Sequence, residues 1–455
     1  MPEPVEQVLR YARPSTAGVV QGRPELRLSV SGGRTPGGWT EYPWFFDGFL
    51  GHAEQMATGL LAVARVARTR FYMPPGMLAA ALRTADPVVT SNGDRLRFES
   101  FSACCGVYAR LDVLPGAMDG PARDMGTTNV DFNPPMRQSL AGIGGLDPLH
   151  LSVGEDVAVT TMGGTVTERK VPLPQRWLKG FAEVQLVAAG MGPAFQVPVV
   201  EARRFLGSLP ARSGTGHALW AVPAGRGLRL TSRATPGAVC VAGPERLKVL
   251  EPLLRFATAL RAYRACSSST DAAASAWELD LRDARFVVTL SPDASRGFSG
   301  EGGVLRDLAD DGAGADIALV SALLAFEPRI DVGRLAADAA IDENRVLRAL
   351  GRLGAAGRVG FDVHESAYFH RELPYDAAAL DQMHPRLREA RRLVEHGRVR
   401  VEGAVAYVTS RGTEYVVRRA GDTWRCTCPW YGKHRDSRGP CKHLLAVELA
   451  AARAR

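Results

Sequence analysis

At 455 residues and 46% apolar content, the chain is long enough for two to four domains, each with its own core. A formal charge of +8 tilts it toward anionic partners, but only five of the 56 basic residues are lysine and the arginines are spread throughout, so composition alone does not identify a nucleic-acid-binding protein. No apolar run approaches the ~20 residues a membrane span needs, the start Met1-Pro2-Glu3-Pro4-Val5-Glu6 lacks the basic opening of a signal peptide, and seven cysteines fit a reducing compartment better than a disulfide framework. The expected setting is the cytoplasm, with no membrane contact.

In chain order, the first 310 residues read as a large mixed α+β region of one or two subdomains. Apolar residues at helical spacing (Leu60, Leu61, Val63, Val66) predict a helix over Glu54–Arg68. Alternation predicts a hairpin from Leu96–Ser102 and Val107–Leu114, introduced by the turn Asn92-Gly93 and followed by a helix over Met136–Ile143. The order recurs as strands Val157–Thr161 and Thr165–Val171 with a helix Gln175–Ala189. A third passage has strands Gly227–Ser232 and Gly237–Ala242 with a helix Glu245–Arg264. The repetition is compatible with internal duplication, although residue identity between the passages is low. Ser267–Ser275 reads as a linker, and Ala276–Leu281 with Arg285–Leu290 as a further hairpin of the same region. Cys104, Cys105, Cys240 and Cys266 are expected to be small buried residues.

From Ala315 the texture changes to short helices: Asp316–Phe326, Val332–Ala340 after the Pro328 break, and Glu343–Ala355 capped by Asp342. The third carries Val346, Leu347, Leu350 and Leu353 on one face and Arg345, Arg348 and Arg352 on the other. Strands near Arg358–Asp362 and Ala367–Arg371 follow. Three helices and a hairpin over residues 315–375 resemble a winged helix-turn-helix, a fold whose third helix enters the major groove in its DNA-binding members. Many such domains meet proteins instead, and exposed arginines are common in this chain. A linker helix His384–His396 within residues 376–400 leads to the last segment, 401–455.

That segment holds the most specific signal. Cys426-Thr427-Cys428 is separated by twelve residues from Cys441-Lys442-His443. On an extended strand residues i and i+2 face one side, so both thiols of the first pair can meet one ion. Three thiolates and an imidazole make a tetrahedral Zn²⁺ site with no position left for water. Gly439-Pro440 closes the loop in a turn, and Leu444, Leu445, Val447 and Leu449 predict a helix that begins at the second pair. His434 is a weaker further ligand candidate, better read as an exposed loop histidine.

At these residues the chain resembles the SWIM zinc-finger family, whose pattern is Cys-x-Cys, a variable loop and Cys-x-His on a β-hairpin followed by a helix. The resemblance covers about the last fifty-five residues; it implies one structural zinc on Cys426, Cys428, Cys441 and His443, with Ala404–Thr409 and Glu414–Arg418 as the hairpin. Trp430 and Tyr431, with Lys433, Arg435, Arg438 and Lys442 around them, are the candidate contacts to nucleic acid or a protein, packing over the zinc being an equal alternative for Trp430. The whole layout resembles actinobacterial proteins associated with MoxR-type AAA+ ATPases and von Willebrand factor A domain proteins, which implies an adaptor in a defence-like system.

Known catalytic patterns are missing. There is no phosphate-binding Gly-x-x-x-x-Gly-Lys-Ser/Thr loop, no strand-linked Gly-x-Gly-x-x-Gly and no Gly-x-Ser-x-Gly elbow. His364-Glu365 begins like a zinc-protease motif, but position 368 is tyrosine; Ser213–His217 reads as a Gly-rich turn. The sequence therefore favours a non-enzymatic zinc protein that binds nucleic acid or protein, then an adaptor, then an enzyme of a type without a recognisable motif.

Overall fold

The computed structural model describes residues 8–20, 22–71, 86–121, 123–145, 147–154, 169–172, 175–211, 218–266, 272–309, 314–373, 384–421, 423–435 and 438–453. Its centre is a ten-stranded sheet in the order Met191–Pro198, Ala259–Ala265, Ser275–Leu281, Ala284–Leu290, Val107–Val113, Leu96–Phe101, Val88–Ser91, Gly126–Asn129, Gly33–Thr35, Gly38–Thr40. Two predicted hairpins lie side by side in its middle, with Val107–Val113 paired to Leu96–Phe101 and to Ala284–Leu290. A five-stranded sheet holds Met118–Asp119, Phe46–Leu50, Leu149–Val153, Arg23–Leu28 and Thr16–Val20. The helix Ala53–Arg68 packs on the strands Leu96–Phe101 and Val107–Val113 of the ten-stranded sheet. Met56, Leu60 and Val63 are fully buried on it, each contributing about 1.5–3 kcal/mol. Gly59 lets the helix press on the sheet, since a Cβ there would stand 3.0 Å from the Leu111 methyl carbons.

Period-2 alternation sorts the middle strands into two faces. Leu96, Phe98, Val107, Ala109, Leu111, Phe286, Val288, Trp277 and Leu279 point into the apolar core. Their neighbours Arg97, Glu99, Arg110, Asp112, Glu278 and Arg285 occupy the opposite face and are also buried. The register sets opposite charges side by side, Arg97 against Asp112, Asp112 against Arg285, Arg285 against Asp280. What covers this charged face is the hairpin Val359–Asp362/Ala367–His370 and the helix Gln175–Ala189. Asp362 meets three guanidiniums, Arg110 at 3.1 Å, Arg285 at 3.1 Å and Arg97 at 3.6 Å. Glu365 takes Arg95 at 2.7 Å and Arg285 at 3.0 Å, and Arg371 reaches back to Glu99 at 2.7 Å.

That hairpin follows helices Gly314–Leu323, Val332–Ala339 and Glu343–Ala355, which share a small core of Val320, Leu335, Val346, Leu350 and Leu353. Asp331 and Asp342 cap the second and third helices by accepting from the Arg334 and Arg345 amides. The end of the third helix turns toward the body, with Gly354 near Gln185 of the Gln175–Ala189 helix. Helix Pro385–Glu395 then leads into a four-stranded antiparallel sheet, Val399–Glu402, Val405–Ser410, Thr413–Ala420 and Thr423–Cys426, and the terminal helix Lys442–Arg453.

Several expectations are corrected. Residues predicted as a helix over Glu245–Arg264 form a 3-10 turn, Pro244–Leu253, with Pro252 inside it, and then the strand Ala259–Ala265. Leu260 and Ala262 face the core while Arg261 and Tyr263 face the charged layer, an alternation that helical spacing had masked. The repeated strand–strand–helix order ends with that correction. Gly227–Thr231 and Val239–Ala242 do not pair with each other but flank Ala218–Ala224. The strand predicted at Val157–Thr161, like most of Thr165–Val171 and the Ser213–His217 loop, lies outside the described residues. Cys105 and Cys240 are buried as expected, whereas Cys104 is half-buried and Cys266 exposed.

Candidate metal centre

The finger's four-stranded sheet buries one face. Ala406, Val408, Val417 and Cys426 point inward, the register placing Val417 opposite Cys426 and opposite Ala406. The terminal helix lays Leu444, Leu445 and Val447 on this face. Cys428 caps the short helix Pro429–His434, where its sulfur accepts from the Tyr431 amide at 3.4 Å. Cys441 takes the same role at the terminal helix, accepting from the Leu444 amide at 3.5 Å, and Cys426 accepts from the Cys428 amide at 3.4 Å. Three thiols thus each receive a backbone N–H, the environment that favours thiolate.

Sγ of Cys426, Cys428 and Cys441 and one ring nitrogen of His443 lie within 4.8 Å of one another, all four residues buried. His443 Nδ1 is 3.7 Å from Cys426 Sγ. A tetrahedron with bonds of about 2.3 Å to sulfur and 2.0 Å to nitrogen has an S···N edge of about 3.5 Å, so the donor set already has nearly the span of a zinc site. Tyr415 stacks on the His443 ring at 4.3 Å between centroids and fixes its plane. The crowded thiols cannot titrate alike. A hydrogen bond from Cys426, joined by one from Cys441, holds the Cys428 thiol far below its ordinary value, while the hydrogen bonds Cys426 makes with Cys428 and Cys441 push its own thiol up. The donor set is suited to one zinc ion.

The finger is seated on the rest of the chain. Trp430 is contacted by two guanidiniums, Arg386 at 4.7 Å and Arg438 at 5.1 Å from its ring centroid. Arg386 donates to the Arg438 and Pro440 carbonyls at 2.6 and 3.0 Å and to the Glu301 carbonyl at 2.8 Å, and Arg438 donates to the Gly300 carbonyl at 3.1 Å. Gly439, at φ +68°, presses on Gly302 so closely that a Cβ would overlap the Gly302 carbonyl oxygen at 2.0 Å.

The expected contact residues fall into separate settings. Lys433 and Arg435 are exposed; Trp430, Tyr431 and Arg438 are half-buried in the seat; Lys442 is 3.8 Å from Glu389 of the preceding helix. His434 lies against Trp430 at 4.4 Å, outside the donor cluster. Arg345 is engaged bidentately by Asp316 at 2.6 and 2.9 Å, Arg348 is exposed and Arg352 is half-buried. His364 and Glu365 belong to the charged layer: Arg261 sits among Glu278, Asp280 and His364 at 3.2, 2.7 and 2.9 Å, filling that acidic group with a guanidinium. Tyr415 and Arg386 had no signal in the sequence beyond strand and helix periodicity.

The small sheet, the following helix and the Cys₃His donors define a zinc finger in this segment. Residues 415–452 match the family model described as SWIM zinc finger. Of solved structures, the chain is similar to the crystal structure of Proliferating Cellular Nuclear Antigen from Entamoeba histolytica, at 9% identity and a TM-score of 0.33, over 55% of this chain and 99% of that one. No curated protein matches the chain.

Proposed function

We propose that this is a non-enzymatic binding protein of the cytoplasm whose zinc-stapled finger presents a basic surface to nucleic acid. The observation that supports it is the closed donor set: four buried protein ligands leave no position for water or substrate, so the ion's role is to hold a fold whose surface does the work. Structural zinc contributes on the order of 10 kcal/mol to such a small unit. Lys433 and Arg435 supply exposed positive charge beside it. We read residues 314–373 as a winged helix used for internal docking, because its hairpin is engaged by the charged sheet and Arg345 by Asp316.

A second reading, an adaptor that meets a protein such as an AAA+ ATPase or a von Willebrand factor A domain partner, draws support from Leu319 and Leu347, large apolar side chains exposed on that unit. Fluorescence anisotropy with a labelled oligonucleotide separates the two. Nucleic-acid binding requires affinity to fall steeply between about 50 and 200 mM salt, with Lys433→Ala/Arg435→Ala lowering the slope of log K against log salt by about 1.4. Absent or salt-insensitive binding favours the adaptor.

A further inference from the structure

The finger's four-stranded sheet has a second face, and no element among the described residues packs on it. Strand alternation puts Arg400, Val405, Tyr407, Val416, Arg418 and Arg425 there, opposite the zinc and the terminal helix. Two adjacent rows cross it. In the first, Arg400 pairs with Tyr407 and Tyr407 with Val416; in the second, Glu402 pairs with Val405, Val405 with Arg418, and Arg418 with Arg425.

The second row is physically unusual. Arg418 and Arg425 are directly opposed across the ladder, both exposed, with no carboxylate partner among the described residues. Like charges in directly opposed positions weaken a sheet unless an anion lies between them. In the first row Arg400 lies over the half-buried Tyr407 ring, 4.7 Å from its centroid, and is held by Glu402 at 2.9 Å, so the stack is pre-ordered. A guanidinium pair for phosphate beside a fixed aromatic and a flat apolar Val405/Val416 floor is the combination that binds an unpaired strand: charge along the backbone, a ring surface for a base. The face carries no protruding helix or ribbon to enter a duplex groove.

We infer that this outer face, through the opposed Arg418 and Arg425 and the Arg400–Tyr407 stack, is where the finger binds single-stranded nucleic acid. The inference rests on the nucleic-acid reading above and assigns that function to a surface the zinc motif does not contain.

The test is anisotropy of the full zinc-loaded chain with a labelled oligo-dT of about 20 residues, a length that spans one or two small single-strand sites. Arg418→Ala/Arg425→Ala should lower the salt slope by about 1.4, two phosphate contacts at about 0.7 each. Arg418→Lys/Arg425→Lys should restore most of it. Tyr407→Ala should weaken binding about fivefold or more while Tyr407→Phe does not. Zinc content and Tm of each variant serve as the folding control; removing the opposed charges should leave Tm unchanged or raise it. A wild-type slope in Arg418→Ala/Arg425→Ala, with Lys433→Ala/Arg435→Ala still reducing it, overturns the surface but leaves the function standing. A duplex of equal length bound more tightly through the same arginines overturns the single-strand assignment. No salt-dependent binding by the unsubstituted chain overturns the function, and this inference with it.

Discussion

The zinc donors combine burial with local devices that prepare them: Cys428 and Cys441 each receive an amide from the first turn of a helix, and His443 is pinned by Tyr415. Metal analysis of the purified chain should therefore give about one zinc, and Cys426→Ser/Cys441→Ser should lose it together with a Tm drop in the finger; full-length folded protein without metal would refute the site. These four residues were legible because the spacing of a metal motif encodes chemistry directly. Their seat was not: Arg386 and Glu183 look like ordinary helix-surface residues. Glu183 is buried, and its carboxylate accepts from the Gly303 and Val304 amides at 2.9 and 3.3 Å. Burial dominates over those hydrogen bonds and raises its pKa to about 7. The folded chain then keeps a proton that the unfolded chain releases near pH 4.5, so this group's contribution to stability falls as pH rises from about 4.5 to about 7 and stays low above. Comparing Tm at about pH 5 and pH 8, the native chain should lose stability relative to Glu183→Gln; a difference between them that does not move with pH would sink the assignment.

For elements, periodicity recovered the helices Ala53–Arg68, Gln175–Ala189 and Pro385–Glu395 and the central hairpins, because each exposes one apolar stripe to one core. It failed at Ala259–Ala265, where small and apolar residues satisfy a helical spacing as well as an alternating one and only pairing with Met191–Pro198 and Ser275–Leu281 decides. Alternation in Leu96–Phe101 and Val107–Val113 was read correctly as strand, yet Arg97, Glu99, Arg110 and Asp112 carry the pattern of a solvent face. A charged partner and water leave the same mark on a sequence. The hairpin Val359–Asp362/Ala367–His370 supplies that partner, and Asp362 is its hub. Burial raises the carboxyl, but Arg110, Arg285 and Arg97 more than offset it and hold Asp362 far below the usual carboxylate range. Asp362→Ala strands three guanidiniums in the interior and should cost about 3–5 kcal/mol in urea denaturation. A loss under about 1 kcal/mol would mean that water reaches the layer and the ion pairs carry little.

Across the whole molecule, the C-terminal third is fastened at two kinds of joint. One is the charged layer, where directional ion pairs fix how the hairpin sits on the sheet. The other is the seat of the finger, where Trp430 is gripped by Arg386 and Arg438 while both arginines bind carbonyls of the 300–301 and 438–440 backbones. Among the described residues no helix is long and apolar enough to cross a membrane. At the second joint Gly439 presses on the Gly302 carbonyl, and Gly302, at φ +136°, presses on the Arg386 guanidinium, with no room for a methyl group at either. Neither position can drift alone through ordinary substitutions, so the loop and the finger should be inherited as a matched pair. A finger transplanted onto another scaffold would leave half of its socket behind.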